Sequence, residues 1–508
     1  MANPLQSINI AAPGFRGLNT QDSPIGLDPS FCSIANNCVI DQYGRIGARK
    51  GREAVTVDAT PLGASVGTTK IREYISSTGV STVFSTGNNK IFTGTTALTD
   101  VTPAGYVPTG DNWKIVNFNY HCYFFQRGHA PLLYADHDGG LTTIDDHSHS
   151  TGVAPEGNEV LAAFGRLWVA DITGDTSTIY WSNLLDGAAW TGGSTGSIDI
   201  TRVWPTGYDD IVALAAHNGF LVIFGKRSIV IYSGPTNPAT MVLADTIANV
   251  GCIARDSVQN TGTDLIFLSN EGVRSLGRVI QEKSLPFRDI SRNVRNDINQ
   301  LTGLQTLPIT SFYSPEEAFY LLSFPTSQAV YCFDMRSPME DGSQRVTLWT
   351  GVRYLCFERL VTSTMYIGNI DGINTYSSYL DNGSTYQMNY FTNPMSFGDS
   401  SRLKLLKAMD ITVIGGQNTT VTVNWGYDYT GSYRKRIYAV KNAEVSEFNV
   451  AEYNVATSVF SASIIIDREK IQTSGNGAVV TVGVDVTVNG VPFSVQEINI
   501  QALLGRMI

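Results

Sequence analysis

The chain has 508 residues, of which 43% are hydrophobic and 16% are charged, and this composition excludes a disordered chain. Its formal charge of -10 argues against a basic groove that grips nucleic acid. It has no run of 18 apolar residues that would predict a membrane span, and its N-terminus lacks the pattern of a secretory signal. The six cysteines are spread without a CxxC pair, which indicates free buried thiols. A chain of this length is expected to form two or three domains.

Residues 1–52 are predicted to form a separate N-terminal leader, extended over much of its length, with one short helix. Asp28 followed by Pro29 is typical of a helix N-cap and first helical residue, so the helix should run to about Asn36. A basic, turn-rich stretch closes the leader and contains Arg45, Arg49, Lys50 and Arg52. These cations form either a solvated edge or a contact with an acidic neighbouring subunit, since arginine pairs well across interfaces.

Residues 53–383 repeat one pattern seven times: a strand, a tight turn and a second strand. The repeats are residues 82–94, 122–135, 166–182, 220–234, 264–277, 318–334 and 364–378. Their turns centre near Asn88, Arg127, Gly174, Lys226, Gly272, Thr326 and Gly372. Those centres lie 39 to 54 residues apart, and such a period without helical pattern predicts a β-propeller of six or seven blades.

Residues 384–508 lack the repeat and instead show runs of alternating apolar and polar residues. This pattern predicts a β-sandwich-like C-terminal domain. The stretch Val488–Gly490 reads as a hairpin turn between two of its strands. The expected fold class is therefore all-β, with a leader (1–52), a propeller (53–383) and a sandwich-like domain (384–508).

The stretch GGSTG at 192–196 matches the GxSxG nucleophile motif, with Ser194 as the nucleophile. That motif needs a strand before the serine and a helix after it, whereas here a β-like SIDI follows. A loop is the favoured interpretation. The stretch SNLLDGAAW at 182–190 is close to the sialidase Asp-box, but Leu185 and Ala189 occupy the positions of its aspartate and threonine.

Histidines are concentrated between residues 121 and 149, where aspartates are interleaved with them. The histidines are His121, His129, His137, His147 and His149, and the aspartates are Asp136, Asp138, Asp145 and Asp146. Imidazole and carboxylate suit a transition metal, but the spacing fits no helical metal motif or EF-hand. Polar loops at one propeller rim are favoured, and whether the region binds a metal stays open.

Aromatic residues on the predicted strands could act as platforms for sugars, but core packing is favoured at this spacing. They are Trp168, Trp181, Trp204, Phe224 and Tyr232. We therefore expect no enzyme activity, no catalytic residues, no metal and no cofactor.

Several phrases, in order along the chain, resemble one protein family. They are GLN and DSP (17–24), ANN (35–37), GRIGARKG (44–51), HNGFLVIFGKRSIVIYSG (217–234), SRLKLLKAMDITVIGG (401–416), VTVNWGYDYTG (421–431) and residues 474–506. Together they resemble the tail nozzle family, or tubular tail protein B, of short-tailed bacteriophages (podoviruses). The family resemblance implies a six-bladed propeller, whereas the sequence shows seven hairpins.

The resemblance also implies a structural role. It implies a homohexameric ring in the virion tail, assembled in the host cytoplasm, below an adaptor (gatekeeper) protein. The ring would enclose the channel for genome ejection, DNA would pass without specific binding, and tail fibres or distal tail proteins would dock around it. Two alternatives remain: a carbohydrate-binding or carbohydrate-degrading propeller, and a protein-binding propeller scaffold.

Overall fold

The computed structural model describes residues 5–63, 67–109, 112–135, 140–282, 289–417, 419–440 and 466–507. These residues form two compact units. Unit 1 comprises Met1–Glu53, Tyr331–Thr350 and Ser377–Ile508, and unit 2 comprises Ala54–Val330 and Gly351–Tyr376. Residues 331–350 fall in unit 1, although the sequence placed them in the propeller, because a strand in this segment pairs with strands near the N-terminus.

The first fourteen strands, in chain order, are β1 (Leu5–Ala11), β2 (Gly17–Leu18), β3 (Phe31–Asn36), β4 (Cys38–Ile40), β5 (Ile46–Ala48), β6 (Arg52–Ala54), β7 (Lys70–Ile75), β8 (Ser81–Gly87), β9 (Lys90–Thr93), β10 (Thr99–Asp100), β11 (Lys114–Phe118), β12 (His121–Phe125), β13 (Leu132–Ala135) and β14 (Gly140–Thr143). The next are β15 (Gly157–Ala163), β16 (Arg166–Ile172), β17 (Asp175–Trp181), β18 (Gly196–Asp199), β19 (Ile211–His217), β20 (Phe220–Gly225), β21 (Ser228–Ser233), β22 (Val242–Ala248), β23 (Gln259–Asn260), β24 (Leu265–Ser269) and β25 (Gly272–Ser275).

Two short helices follow, α1 (Leu276–Glu282) and α2 (Arg295–Gly303). The remaining strands are β26 (Thr310–Ser314), β27 (Phe319–Phe324), β28 (Ala329–Asp334), β29 (Arg345–Thr350), β30 (Cys356–Arg359), β31 (Met365–Asn369), β32 (Gly372–Tyr376), β33 (Tyr386–Thr392), β34 (Arg402–Gly415), β35 (Thr420–Tyr427), β36 (Tyr433–Ala439), β37 (Ile466–Gln472), β38 (Asn476–Gly477), β39 (Val480–Val488) and β40 (Phe493–Met507). Among the described helices, none is both long and apolar enough to cross a membrane.

Unit 2 is a ring of sheets. Strands β7–β10, β11–β14, β15–β18 and β19–β22 each form an antiparallel four-stranded sheet in chain order, and β23–β25 form a three-stranded sheet. The first strands of neighbouring sheets touch in the sequence β26, β30, β7, β11, β15, β19. A 3₁₀ turn, Arg255–Ser257, contacts both β19 and β26 and so closes the ring. This closed order of radial sheets is a β-propeller.

All seven hairpins predicted from the sequence are present as successive strand pairs: β8–β9, β12–β13, β16–β17, β20–β21, β24–β25, β27–β28 and β31–β32. Six sheets begin with β7, β11, β15, β19, β26 and β30, and the three-stranded sheet stands between β19 and β26. The propeller therefore has six regular blades. The one remaining hairpin, β24–β25, belongs to the smaller sheet. Asn88 and Asn89 both have positive φ, as the two-residue turn between β8 and β9 requires.

The aromatic residues considered as sugar platforms lie in the core, as favoured from the sequence. Trp168, Trp181, Trp204 and Tyr232 belong to one buried cluster, and Phe224 belongs to the next. Inner strands such as β20 and β21 are buried on both faces, because neighbouring sheets cover each side. Continuous apolar runs, rather than alternating ones, follow from this double burial.

Unit 1 contains two sheets, which confirms the sandwich-like prediction. One has the strand order β37-β34-β40-β5-β4, with β1 paired to β40 and β38 paired to β34. The other contains the order β29-β2-β3-β33-β39-β35-β36. The predicted hairpin at Val488–Gly490 is wrong, because β39 and β40 belong to different sheets. Both sides of β39 are already paired, with β33 and β35, so the chain changes sheets after Val488.

The predicted helix after Asp28 is also wrong. Ser30 N–H donates to the Asp28 carboxylate (2.9 Å) and Phe31 N–H donates to the Asp28 carbonyl (3.0 Å), which makes a turn. The chain then forms β3, whose backbone pairs with β33 and β2. Strand pairing has overridden a local capping signal. Residues 5–48 therefore supply strands β1 to β5 to the sheets of unit 1 and do not form a separate leader.

Candidate functional site: the centre and rim of the propeller

The Arg255–Ser257 turn lies where the inner strands of unit 2 converge, and we call it the central turn. Arg255 Nη2 donates to the Trp113 carbonyl and Nη1 donates to Asn158 Oδ1, both at 2.9 Å. Trp113 immediately precedes β11, and Asn158 lies on β15. One guanidinium therefore fastens two adjacent blades to a turn that comes from a different part of the ring.

Ion pairs extend these contacts across the ring. Lys70 Nζ on β7 lies 3.3 Å from Asp256 Oδ1, and Lys114 Nζ on β11 lies 3.2 Å from Glu159 Oε2 on β15. Arg255 Nη2 lies 3.0 Å from Asp256 Oδ2. Because β7 and the central turn are not neighbours around the ring, the Lys70–Asp256 pair spans its interior. We call these five charged residues the central ion network.

Hydrogen bonds from strands β26 and β27 also hold the central turn. Ser311 Oγ on β26 donates to the Asp256 carbonyl (2.8 Å), and Tyr320 OH on β27 donates to the Ser257 carbonyl (2.9 Å). Side-chain ion pairs and hydrogen bonds of the central turn therefore reach five strands of four sheets, β7, β11, β15, β26 and β27. Its side chains and backbone bridge the middle of the propeller at this level.

Glu159, Arg255 and Asp256 of the network are buried, and burial affects the protonation of the two carboxyl groups. Glu159 is 1% exposed, and desolvation raises the pKa of its carboxyl although Lys114 and Arg255 oppose that shift. Desolvation acts in the same direction on Asp256, but Arg255, Lys70 and Lys114 hold its pKa well below the ordinary value of 3.8. Asp256 is therefore ionised at neutral pH and paired with cations. Such an arrangement stabilises structure and offers no free nucleophile.

Three of the five clustered histidines come together at the rim. The ring centroids of His121 and His147 are 6.2 Å apart, and those of His147 and His149 are 5.4 Å apart. With Tyr123 and Asp186 they line a cavity of about 290 Å³. The Asn119 carbonyl accepts a hydrogen bond from His121 Nδ1 at 2.7 Å.

The other members of the predicted cluster lie elsewhere. His129 packs near Tyr106, with ring centroids 6.2 Å apart. His137, Asp136 and Asp138 lie outside the described residues. In the part of the chain that the structure describes, no group of three histidine, cysteine, aspartate or glutamate residues is placed to hold a metal ion.

Ser194 does not lie in a nucleophile elbow. It stands in a turn before β18, and its hydroxyl donates to Asn183 Oδ1 at 2.9 Å. A strand follows where the motif requires a helix. The GxSxG match is therefore a loop, as favoured from the sequence.

Replacing Ser194 with alanine should lower the free energy of unfolding by only about 0.5–1.5 kcal/mol, the usual worth of one hydrogen bond. It should leave unchanged any background hydrolysis of a nitrophenyl ester. Urea denaturation and an ester assay measure the two effects. Thr195→Ala is a matched control, since Thr195 Oγ1 donates to the Gly192 carbonyl in the same turn. Esterase activity lost in Ser194→Ala and kept in Thr195→Ala would contradict the loop assignment.

The basic residues of the former leader have different surroundings from those expected. Arg49 is fully buried, and its guanidinium pairs with both carboxylate oxygens of Asp381, Nη1–Oδ1 at 3.0 Å and Nη2–Oδ2 at 2.6 Å. It also lies 4.2 Å from the ring centroid of Tyr386. Neither a solvated edge nor a subunit contact describes Arg49, because its side chain is fully buried against Asp381 and Tyr386 of unit 1. Arg49 and Asp381 are 332 residues apart in the sequence, so no local pattern could have predicted this pairing.

The remaining cations of that stretch are partly covered. Arg45 lies 3.8 Å from Asp41 and stacks 4.2 Å from the Tyr43 ring centroid. Lys50 and Arg52 are half-buried. Among the described strands, β36 has three consecutive exposed cations, Arg434, Lys435 and Arg436, and the sequence indicated it only as a strand.

No family model and no curated protein matches this chain. Solved propeller structures are similar to it at a TM-score of 0.35. They include PorZ, a surface component of the type-IX secretion system of Porphyromonas gingivalis (11% identity, 62% of this chain and 37% of that chain). YCF48 bound to a D1 peptide is also 11% identical and covers 64% of this chain and 97% of its own. The Pan2 WD40 domain of Neurospora crassa is 9% identical over 65% and 94%.

This chain therefore spans less than half of the PorZ chain. The similarities are too low to assign a function to this protein. The fold is established by its own strand order: an all-β protein with a propeller and a sandwich-like unit.

Proposed function

We propose that this protein is a structural subunit of a homohexameric ring, the nozzle of a short phage tail. The central ion network carries the proposal. Ion pairs bridge the middle of each propeller, so a single propeller does not enclose DNA. A conduit built from this chain therefore needs several copies around a common axis, as in the ring that the family resemblance implies.

The proposal gives the ring defined partners. An adaptor protein contacts it on one side, and tail fibres or distal tail proteins dock around it. DNA passes through the ring without specific binding, in a virion tail assembled in the host cytoplasm. The formal charge of -10 per copy supports this role, because acidic walls repel phosphates and keep DNA from adhering.

Electron microscopy of the purified protein tests the proposal. We expect rings with six-fold symmetry and an open centre, formed alone or on addition of the tail adaptor. We also expect no retention of duplex DNA in a gel-shift assay at physiological salt. Dispersed monomers under both conditions would contradict the ring, and a tight DNA complex would contradict passage without binding.

A protein-binding propeller scaffold is the alternative, and the propeller fold supports it. If the protein captures a partner as a monomer and forms no ring with the adaptor, the scaffold function stands and the nozzle does not.

A further inference from the structure

Two segments with incomplete sequence motifs meet at one cavity of the propeller. The histidines at 121, 147 and 149 line it, and so do residues 185–188 of the stretch SNLLDGAAW. We call this space, of about 290 Å³, the rim cavity. The histidines do not form a metal site and the stretch does not form an Asp-box, so a different ligand chemistry has to account for their convergence.

One wall of the rim cavity is held in place by hydrogen bonds. The backbone N–H of Leu185 donates to the Gly165 carbonyl (2.8 Å), and Asn119 Nδ2 donates to the Leu185 carbonyl (2.7 Å). A Cβ atom on Gly187 would lie 2.6 Å from the hydroxyl oxygen of Tyr123, so only glycine lets the loop pack against this phenol. The wall is therefore fixed before any ligand binds.

The rim cavity contains a carboxylate without a cation beside it. Asp186 is half-buried, and its Oδ1 accepts the N–H of Ala188 at 3.0 Å, while its Oδ2 has no partner among the described residues. In that part of the chain, no lysine or arginine lines the cavity. Burial raises the pKa of the Tyr123 hydroxyl, and the charge of Asp186 raises it further. A ligand that brings a positive charge would compensate this carboxylate.

Aromatic rings add to the attraction for a cation. The ring centroids of Tyr123 and His121 lie 6.1 Å apart, and both residues line the cavity. The face of a tyrosine ring attracts an ammonium or guanidinium group. His147 Nδ1 accepts the backbone N–H of His149 (3.3 Å), which indicates a neutral imidazole that does not repel a cation. The rings and the carboxylate therefore suit the same kind of group.

Exposed apolar side chains lie next to the rim cavity. Leu185 lines it and is 59% exposed, and the adjacent Leu184 is 52% exposed. Tyr120, which follows the lining residue Asn119, is 64% exposed. Neighbouring apolar side chains at a surface are typical of contacts with another protein.

We propose that the rim cavity receives a basic side chain of a partner protein, and that Tyr120, Leu184 and Leu185 contact apolar residues beside that side chain. Small-molecule sites usually have volumes of about 300–1,000 Å³, so a cavity of about 290 Å³ suits a single side chain. Arginine is preferred over lysine, because a guanidinium group both stacks on rings and pairs with a carboxylate. The site lies within one propeller, so the inference does not depend on the proposed ring.

Titration with acetyl-arginine amide tests the preference for positive charge. In NMR spectra of protein with isotope-labelled histidine, the ring signals of His121, His147 and His149 should shift, and that of His217 on β19 should not. Acetyl-citrulline amide has nearly the same shape without the charge and should bind at least about tenfold more weakly. Equal affinity for the two probes, or binding of methyl glucoside in place of the arginine probe, would overturn the inference.

Removal of the carboxylate charge tests the role of Asp186. Asp186→Asn keeps the oxygen that accepts the Ala188 N–H and should weaken binding of acetyl-arginine amide at least about tenfold. Asp199→Asn is the matched control, because Asp199 Oδ1 accepts the N–H of Thr201, also two residues on, at 2.8 Å. The control should bind like the unaltered protein, and circular dichroism checks that both variants are folded. Unchanged binding in Asp186→Asn would contradict the proposal.

A peptide probe tests whether the partner is a protein. Acetyl-Leu-Arg-Leu-amide should bind at least about fivefold more tightly than acetyl-arginine amide, because its leucines cover exposed apolar surface. Leu184→Ser should remove much of this gain and leave the affinity for acetyl-arginine amide unchanged. Leu304→Ser, which replaces a leucine that is 64% exposed elsewhere in unit 2, should keep the gain. A peptide that binds no more tightly than acetyl-arginine amide would overturn the assignment of a protein partner.

Discussion

Replacing Arg255 with alanine is expected to lower the free energy of unfolding of unit 2 by about 3–5 kcal/mol, the cost of breaking a buried ion pair by removing one partner. The change leaves Asp256 and Glu159 with less compensating positive charge in a buried site. It also removes the hydrogen bonds to Trp113 and Asn158 that fasten two blades to the central turn.

Hydrogen–deuterium exchange during urea denaturation can measure this effect in unit 2 alone, from peptides covering β11 and β15. Arg359→Ala is the matched control, because Arg359 pairs with Glu316 at an exposed position of the same unit. An exposed pair contributes about 0–1 kcal/mol. Equal losses in the two variants would show that the central ion network does not hold the propeller together.

The loss of unfolding free energy caused by Arg255→Ala should depend on pH in a defined direction. The cations around Asp256 hold its pKa well below 3.8, so its paired form stabilises the folded state at any pH above that value. That contribution is lost as the pH falls below 3.8 and through the depressed pKa. The difference in free energy of unfolding between the unaltered protein and Arg255→Ala should therefore be largest at neutral pH and should become smaller in acid.

The hairpins of the propeller were predictable because each depends on residues close in sequence. A pair such as β20 and β21 shows two apolar runs around the turn at Lys226, and no distant residue is needed to recognise it. The repetition of this local pattern then indicates closure into a ring, because each sheet must bury both faces. The sandwich-like unit was likewise visible from alternation along its strands.

Features that depend on distant pairing were not predictable. Asp28 begins a turn rather than a helix because β3 finds its partner in β33, more than 350 residues away. The connection after Val488 changes sheets because β39 is already paired on both sides. No sequence pattern predicted the role of the central turn either. Its three residues lie between strands and acquire their contacts only when the ring closes around them.

Replacing Arg49 with methionine should lower the free energy of unfolding of unit 1 by about 3–5 kcal/mol, because a buried ion pair loses one partner. Methionine retains most of the apolar volume against Tyr386, so the effect reports the charge and hydrogen bonds rather than a cavity. Hydrogen–deuterium exchange of peptides covering β4 and β33 measures this loss of stability. Arg16→Met is the matched control, since Arg16 and Asp28 form an exposed pair at 3.8 Å in the same unit and contribute about 0–1 kcal/mol.

A double variant separates the two ways in which Arg49 could act. Adding Asp381→Asn to Arg49→Met removes the unpaired carboxylate, so the double variant should be more stable than Arg49→Met alone. If it is instead less stable, Asp381 stabilises unit 1 through contacts other than Arg49, and the ion pair is not the source of the effect. If it is more stable, the ion pair of Arg49 with Asp381 is the source of the effect, and Arg49 is a buried attachment point of unit 1.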